Sequence, residues 1–310
     1  MRTLKNFFLA MLFAGALNAS ARAQATPTPT PTPLPNTDIY VADISNASGA
    51  PKLGAARRVT TWEGYDNQPS FTPEGADLLY TSVRADGQAD IYRHRLADNS
   101  TARLTETPEA EYSPTVTPDG KFFSVVRVEG DREATQRLWK FPLAGGQVAT
   151  LVLERFKPVG YHVWADARTL GLFILGRPHT LQVVDTRTGE YGVIATNVGR
   201  SLQRVPGTPK ISYVHKQGEG EWHIKEYDTR THAKRTLAKT LAGSEDFAWT
   251  PDGTLLMAQG AKLYALRPGA GQDWREVADF SADGLSEITR LSVSPRGDRL
   301  ALVARPRDTR

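Results

Sequence analysis

Residues 66–105 read DNQPSFTPEGADLLYTSVRADGQADIYRHRLADNSTARLT, and this stretch determines the fold. Its turn, Thr72-Pro73-Glu74-Gly75, has a proline that presets φ at the second turn position and a glycine that tolerates positive φ at the last. Leu78 and Tyr80 follow in alternation, which is typical of a strand rather than a helix. Another strand opens at Ile91, and a short final strand ends the stretch.

The same pattern returns along the chain. Turn slots end at residues 75, 120, 167, 208, 253 and 297, so that successive slots are 41 to 47 residues apart. An internal repeat of this length predicts a β-propeller in which each repeat supplies one blade of four strands. The third and fourth slots are weaker, because Ala167 and Thr208 stand where glycine is expected.

The two ends of the repeat region complement each other. Residues 38–60 contain only the third and fourth strands of a repeat, and residues 288–304 contain only the first and second. We therefore predict an all-β, six-bladed β-propeller with four antiparallel strands per blade, whose ring is closed by N-terminal strands that pair with C-terminal strands. An irregular β-sandwich with chance spacing is the alternative.

The region before the repeats has the three parts of a secretory signal peptide. Arg2 and Lys5 form the charged start, and residues 7–17 are an apolar run too short to span a bilayer. Small residues follow, so we expect cleavage after Ala23 or Ala25.

These features divide the chain into a signal peptide (1–25), a stiff Thr/Pro-rich linker (26–36) and a propeller domain (37–310). We expect a periplasmic or secreted protein, with no membrane span after cleavage of the signal peptide, that is monomeric.

Charge and cysteine content exclude several classes of function. The formal charge of +4 comes largely from the signal peptide; without its three basic residues, 35 basic side chains face 34 acidic ones. A nearly neutral mature chain gives no reason to expect nucleic-acid binding. The chain has no cysteine, which excludes disulfides, thiolate metal sites and a cysteine nucleophile.

The stretch quoted above resembles the repeat of TolB-type periplasmic propellers. In that repeat an acidic residue and a proline precede an aromatic-x-Pro-Asp-Gly turn, and a Ser-x-Arg-x-x-Gly bend, an Ile-Tyr strand and a Leu-Thr end follow. The matching positions here are Asp66, Pro69, Phe71, Pro73, Gly75, Ser82, Arg84, Gly87, Ile91, Tyr92, Leu104 and Thr105.

This resemblance implies the propeller fold and leaves the function open. The same repeat occurs in envelope scaffolds and in the propellers of prolyl-oligopeptidase-type enzymes. TolB itself has an additional N-terminal domain, whereas here the Thr/Pro tract leads directly into the first blade, so we do not expect a TolB proper.

Motifs for catalysis are missing from the sequence. It contains no Gly-x-Ser-x-Gly elbow, no His-Glu-x-x-His and no P-loop. His215 and His223 lie on adjacent predicted strands, where they could form a metal-binding pair or be ordinary histidines of the strand surface.

Acidic residues recur in the loops that enter the first strand of each blade. They are Asp66, Glu111, Glu245, Asp246 and Glu287. Carboxylates that converge on one mouth of the channel would favour a cationic partner or a bound cation, and we interpret them as a partner-binding rim. The alternative is that they cap turns and stay solvated.

The sequence thus predicts a non-enzymatic propeller that binds an envelope protein or peptide through its channel mouth, without a catalytic residue or a cofactor. One alternative is a metal-dependent hydrolase resembling the lactonases, which would need Ca²⁺ held by carboxylates and by an Asn such as Asn67. Another is a sensory propeller that works with a separately encoded peptidase or envelope protein.

Overall fold

Six antiparallel sheets follow one another along the chain as the blades of a propeller. The computed structural model describes residues 34–45, 50–146, 148–269 and 273–306, which lie within one compact unit. The predicted signal peptide and most of the predicted linker lie outside the described residues. Within the described part, no helix has the length and hydrophobicity needed to cross a lipid bilayer.

Each blade is built from strands that are consecutive in the sequence, apart from the last. Blade 1 consists of β4 (Tyr65–Phe71), β5 (Asp77–Val83), β6 (Ala89–Arg95) and β7 (Thr101–Arg103); blade 2 of β8 (Ala110–Val116), β9 (Phe122–Val128), β10 (Gln136–Pro142) and β11 (Thr150–Leu151); blade 3 of β12 (Val159–Trp164), β13 (Thr169–Ile174), β14 (Thr180–Asp185) and β15 (Tyr191–Thr196).

The second half of the chain continues this order. Blade 4 consists of β16 (Val198–Arg204), β17 (Lys210–Lys216), β18 (Trp222–Asp228) and β19 (Lys234–Lys239); blade 5 of β20 (Phe247–Trp249), β21 (Leu255–Gln259), β22 (Lys262–Leu266) and β23 (Arg275–Asp279); blade 6 of β24 (Leu285–Val293), β25 (Arg299–Pro306) and β1 (Asp38–Ser45), with β2 (Lys52–Leu53) and β3 (Arg57–Arg58) at its outer edge. A short 3-10 helix, Ser281–Asp283, precedes β24.

The predicted closure of the ring is confirmed in blade 6. Strand β1 pairs with β25 in an antiparallel register that runs from Asp38 opposite Ala304 to Asp43 opposite Arg299. Ile39 and Val41 pack with the core of blade 1, while Tyr40 and Ala42 pack toward blade 5. Burying an aliphatic side chain of this size contributes about 1.5–3 kcal/mol. Both faces of the closing strand therefore stabilise the ring.

The two weak turn slots use other means to make the same turn. Gly75 and Gly120 have the positive φ expected of a glycine at the end of the turn. In blade 3 the carboxylate of Asp166 instead accepts hydrogen bonds from the backbone amides of Arg168 and Thr169. In blade 4 Gly207, one position earlier than expected, takes the positive φ.

Candidate functional site

The first strands of the six blades surround a central channel with a cavity of about 590 Å³, within the usual range for ligand sites. Polar side chains from all six blades line it, among them Gln68, Thr115, Gln203 and Ser292. The cavity extends toward the turns between the first and second strands, where Pro206, Pro251 and Pro295 lie.

Four side chains meet at the opposite end of this cavity, and we call them the axial layer: Tyr161, Arg200, Asp246 and Arg290. Arg290 donates from Nη1 to Asp246 Oδ1 and from Nη2 to the Tyr161 hydroxyl, both at 2.9 Å. Arg200 donates from Nε to Asp246 Oδ2 at 3.1 Å. One carboxylate from blade 5 thus holds guanidinium groups from blades 4 and 6.

The protonation states within the axial layer follow from these contacts. Burial opposes the charge of Arg290, but Asp246 and Tyr161 more than offset it, so its pKa is raised. Burial also raises the pKa of the neighbouring Tyr65 well above its ordinary value. Arg290 therefore stays protonated within the axial layer, and the Tyr65 phenol beside the layer stays neutral at physiological pH.

Glu245 joins the axial layer to the outer part of blade 4. Its carboxylate lies 2.8 Å from Lys216 Nζ and 3.6 Å from Arg200 Nη1. Its Oε2 also accepts a hydrogen bond from the Arg200 backbone amide at 3.3 Å. Lys216 in turn has its ammonium 4.1 Å from the centroid of the Trp222 ring, a cation–π contact. Glu245 is thus fixed by cations on two sides.

The structure brings three of the five predicted rim residues together. Glu245, Asp246 and Glu287 line a second cavity, of about 330 Å³, on the other side of the axial layer. Glu287 is exposed and pairs with Arg305 at 3.2 Å. Every one of these carboxylates has a cationic partner, so the potential at this end of the channel is less negative than the sequence suggests.

Asp66 and Glu111 do not line either of these cavities; both are buried. Asp66 accepts a hydrogen bond from the Ser82 hydroxyl at 2.5 Å, and burial raises its pKa. Glu111 lies 3.3 Å from Arg127 Nε and accepts from the Thr107 hydroxyl, and burial raises its pKa to about 7. The five carboxylates therefore do not form a continuous rim, and a binding role for them stays a prediction.

Arg200, Arg290 and Tyr161 were not predicted, because only acidic residues were considered as candidates at the channel mouth. The repeat contains the signal that would have found them. Arg200 stands eight residues before the end of its turn slot, and Asp246 and Arg290 each stand seven before theirs. Reading this register for every residue type would have placed opposite charges from adjacent blades at one level of the channel.

His162 also lines the channel wall, where it joins blades 2 and 3. Its Nε2 lies 2.7 Å from the Ser124 hydroxyl, which also accepts a hydrogen bond from Trp164 Nε1 at 3.0 Å. Burial lowers the pKa of His162 to about 3, so its ring is neutral. Trp249 and Ser212 form the corresponding contact between blades 5 and 4 at 2.8 Å. The shared pattern indicates a structural joint between blades.

Comparison with known sequences gives distant relatives. No known family profile matches the chain. The sequence is 25% identical over 304 residues to dipeptidyl-peptidase 5 of Porphyromonas gingivalis, and the match covers 86% of this chain and 42% of that protein. The chain spans less than half the length of the curated relatives that it matches.

Solved structures share the architecture. A TolB protein of Agrobacterium tumefaciens superposes with a TM-score of 0.65 at 15% identity, over 87% of this chain and 98% of that one. A gluconolactonase of Xanthomonas campestris superposes with a TM-score of 0.60 at 14% identity, over 91% and 99% of the two chains. Identities this low show the fold alone. The chain is a six-bladed β-propeller of TolB-like fold.

Proposed function

We propose that this protein is an exported, non-enzymatic propeller that binds a segment of a protein or peptide partner in the cell envelope through its central channel. The observation that carries the proposal is the channel cavity of about 590 Å³ with the axial layer at one end. Its size and its convergent polar groups are those of a ligand site.

The chemistry of the wall favours a polar chain segment over a small ion. Gln68, Gln203 and Ser292 lie on different blades and offer both donors and acceptors, which a peptide backbone needs along its length. Arg200 keeps about a third of its side chain exposed beside Asp246. A ligand entering the cavity would therefore meet a wall of mostly uncharged polar groups and, at its end, a paired guanidinium.

The relationship to dipeptidyl-peptidase 5 favours a second candidate, a propeller that works with a separately supplied peptidase. The match covers most of this chain but under half of that protein. We infer that this chain could present a substrate or regulate access for a partner enzyme, as a propeller domain would.

The alternative of a calcium-dependent hydrolase does not fit the residues that it would need. Glu245 and Asp246 are held by Lys216, Arg200 and Arg290, whose charges take the place of a cation. The side chain of Asn67 donates to the Thr37 hydroxyl at 3.3 Å and accepts from the Gln68 backbone amide at 2.9 Å. Metal analysis of the purified protein, with a lactone hydrolysis assay, tests this directly: bound calcium together with hydrolysis would reinstate the alternative.

A crosslinking pull-down from envelope extract tests the binding proposal. Three baits are compared: wild type, Ser70→Trp, which fills part of the channel cavity, and Val148→Trp, which adds the same ring at a side chain that is 77% exposed on the outside. We expect a partner that is captured by wild type and Val148→Trp and lost with Ser70→Trp. A partner captured equally by all three would place binding outside the channel.

The identity of the captured protein decides between the two candidates. A peptidase recovered through the channel would support the companion role, and another envelope protein the scaffold role. Thermal unfolding of each bait shows that a loss of capture reflects the filled channel rather than misfolding.

A further inference from the structure

A second recess lies on the outer side of the ring, between blades 3 and 4. It has a volume of about 420 Å³ and is bounded by β15 on one side and by strands β17–β19 on the other. The blade 4 side contributes His215, Lys225, Lys234 and Arg235, and no carboxylate is among the residues that line the recess. The channel does not use any of these residues.

The strand register places His215, Lys225 and Lys234 on one face of blade 4. His215 lies directly opposite His223, Lys225 lies opposite both Tyr213 and Thr236, and Lys234 lies opposite Tyr227. Lys225 and Lys234 are thus diagonal neighbours across the pair of strands β18 and β19, about 7–8 Å apart, where two like charges repel each other. The fold alone therefore gives no reason to gather these groups.

Neighbouring cations on blade 4 have a carboxylate or a carbonyl partner, which makes Lys225 distinctive. Arg235 pairs with Glu226 at 3.0 Å, and Lys239 pairs with Glu221 at 2.7 Å. Lys234 donates to the backbone carbonyl of Ile194 across the recess at 2.6 Å. Lys225 has no carboxylate within 4.0 Å in the part of the chain that the structure describes.

The histidines also have unused hydrogen-bonding capacity. The Nδ1 atoms of His215 and His223 are buried and have no hydrogen-bond partner among the described residues. Burial lowers the pKa of His215, and Lys225, Lys234 and His223 lower it further. Each of these electrostatic influences is cationic, so an anion in the recess would relieve all of them. No group of three or more His, Cys, Asp or Glu side chains suited to a metal was found within the described ranges.

The blade 3 side of the recess is mostly apolar. Val193, Ile194 and Ala195 form it, and the Thr196 hydroxyl lies at its end. A ligand that fits would have an anionic group facing Lys225 and His215 and a less polar frame against β15.

From this arrangement we propose that the recess is an anion-binding site for a small molecule that carries a phosphate group, held by Lys225, Lys234 and His215. A phosphate oxygen accepts hydrogen bonds from all three side chains, and charge-assisted bonds of this kind are the strong ones. The phosphate could be carried by a soluble sugar or by a lipid headgroup, and the test separates these two sources.

Isothermal titration calorimetry with glucose 6-phosphate, and with glucose as the uncharged match, tests the site at low ionic strength. We expect heat of binding for glucose 6-phosphate only. Lys225→Gln should weaken that binding about tenfold, the loss of one charge-assisted hydrogen bond. The matched control is Lys262→Gln, which removes a lysine that is paired with Glu276 on the outer strands of blade 5 and should leave binding unchanged.

A stability readout separates a binding role from a structural one. Since Lys225 lies near another positive charge, Lys225→Gln should raise the melting temperature of the free protein while it weakens ligand binding. A sedimentation assay with vesicles of phosphatidylcholine, with and without phosphatidic acid, tests the lipid source. The proposal is overturned if neither glucose 6-phosphate nor the phosphatidic acid vesicles bind wild type, or if Lys225→Gln and Lys262→Gln weaken binding equally.

Discussion

Blades 2 and 4 each contain a cation that lies over an aromatic ring and pairs with a carboxylate, but the residues differ. In blade 2 the guanidinium of Arg127 stacks on Trp139, 5.0 Å from its centroid, and pairs with Glu111 of the same blade. In blade 4 Lys216 stacks on Trp222, but its carboxylate partner, Glu245, belongs to the segment that enters blade 5. Cation, aromatic ring and carboxylate are kept, and only the origin of the carboxylate changes.

Gly199 explains the difference. It stands nine residues before the end of its turn slot, the position that Asp66 and Glu111 occupy in blades 1 and 2. Because glycine has no side chain, the carboxylate of Glu245 fits into the space beside it: a Cβ at residue 199 would lie 2.8 Å from Glu245 Oε2. Blade 4 has no acidic residue at this position, and Glu245 from the segment that enters blade 5 supplies the carboxylate. Glu245 also contacts Arg200 of the axial layer.

The largest expected effect is the loss of stability when Arg127 is replaced, compared with the smaller loss when Lys216 is replaced. Arg127→Gln leaves the fully buried Glu111 without its cation, and we expect a loss of about 3 kcal/mol in the free energy of unfolding. Lys216→Gln should cost about 1 kcal/mol, because Glu245 is partly exposed and keeps Arg200. Urea unfolding at pH 8, where Glu111 is ionised, measures both. Equal losses would show that burial of the carboxylate does not distinguish the blades.

The next largest effect is a pH dependence of stability that arises from Glu111 in blade 2. The pKa of Glu111 is about 7 in the folded chain, above its unfolded value, so protonation of Glu111 favours the folded state. This contribution to stability is complete below the unfolded pKa and is lost as the pH rises through 7. Glu111→Gln mimics the protonated form at every pH. Relative to that variant, wild type should lose about 2 kcal/mol of stability between about pH 5 and pH 8.

Urea midpoints of both proteins across that range measure the difference. His162 has the opposite sign, since its lowered pKa makes it stabilising above its unfolded pKa and less so as the pH falls. It is present in both proteins and cancels. A difference between wild type and Glu111→Gln that does not change with pH would mean that Glu111 is ionised throughout.

The same comparison shows how far the sequence could be read. The turn spacing, the alternating strands and the complementary ends are local periodicities, and the sheets with their β1–β25 closure confirm the fold they predict. The partner of Glu245 could not be predicted, because the contact joins two blades through the path of a loop. Asp66 and Glu111 were interpreted as part of a partner-binding rim, and their burial could not be predicted, since an acid at the start of a strand looks the same in sequence whether it faces water or a buried arginine.

The burial of Asp66 and Glu111 limits which variants can test binding at the channel mouth. Substituting Asp66, Glu111 and Glu245 together would remove two buried carboxylates with structural partners, so a loss of binding could arise from unfolding. Ser70→Trp acts within the cavity and avoids these contacts.

The smallest expected effect comes from adding a single carbon atom at residue 199, in the space that the Glu245 carboxylate occupies. In Gly199→Ala the new Cβ would lie 2.8 Å from Glu245 Oε2 and 3.0 Å from Val214 Cβ, so either the carboxylate or the strand must shift. We expect a loss of about 1.5 kcal/mol, typical of overpacking. Gly192→Ala is the control, because its Cβ would meet only Ile194 Cδ1, at 3.8 Å, and it should change stability by less than about 0.5 kcal/mol. If Gly199→Ala is as mild as Gly192→Ala, while Gly199→Asp restores a pH-dependent term like that of Glu111, then blade 4 could have kept its own acid. In that case the contact with Arg200 of the axial layer determines the position of Glu245, and the space beside residue 199 does not.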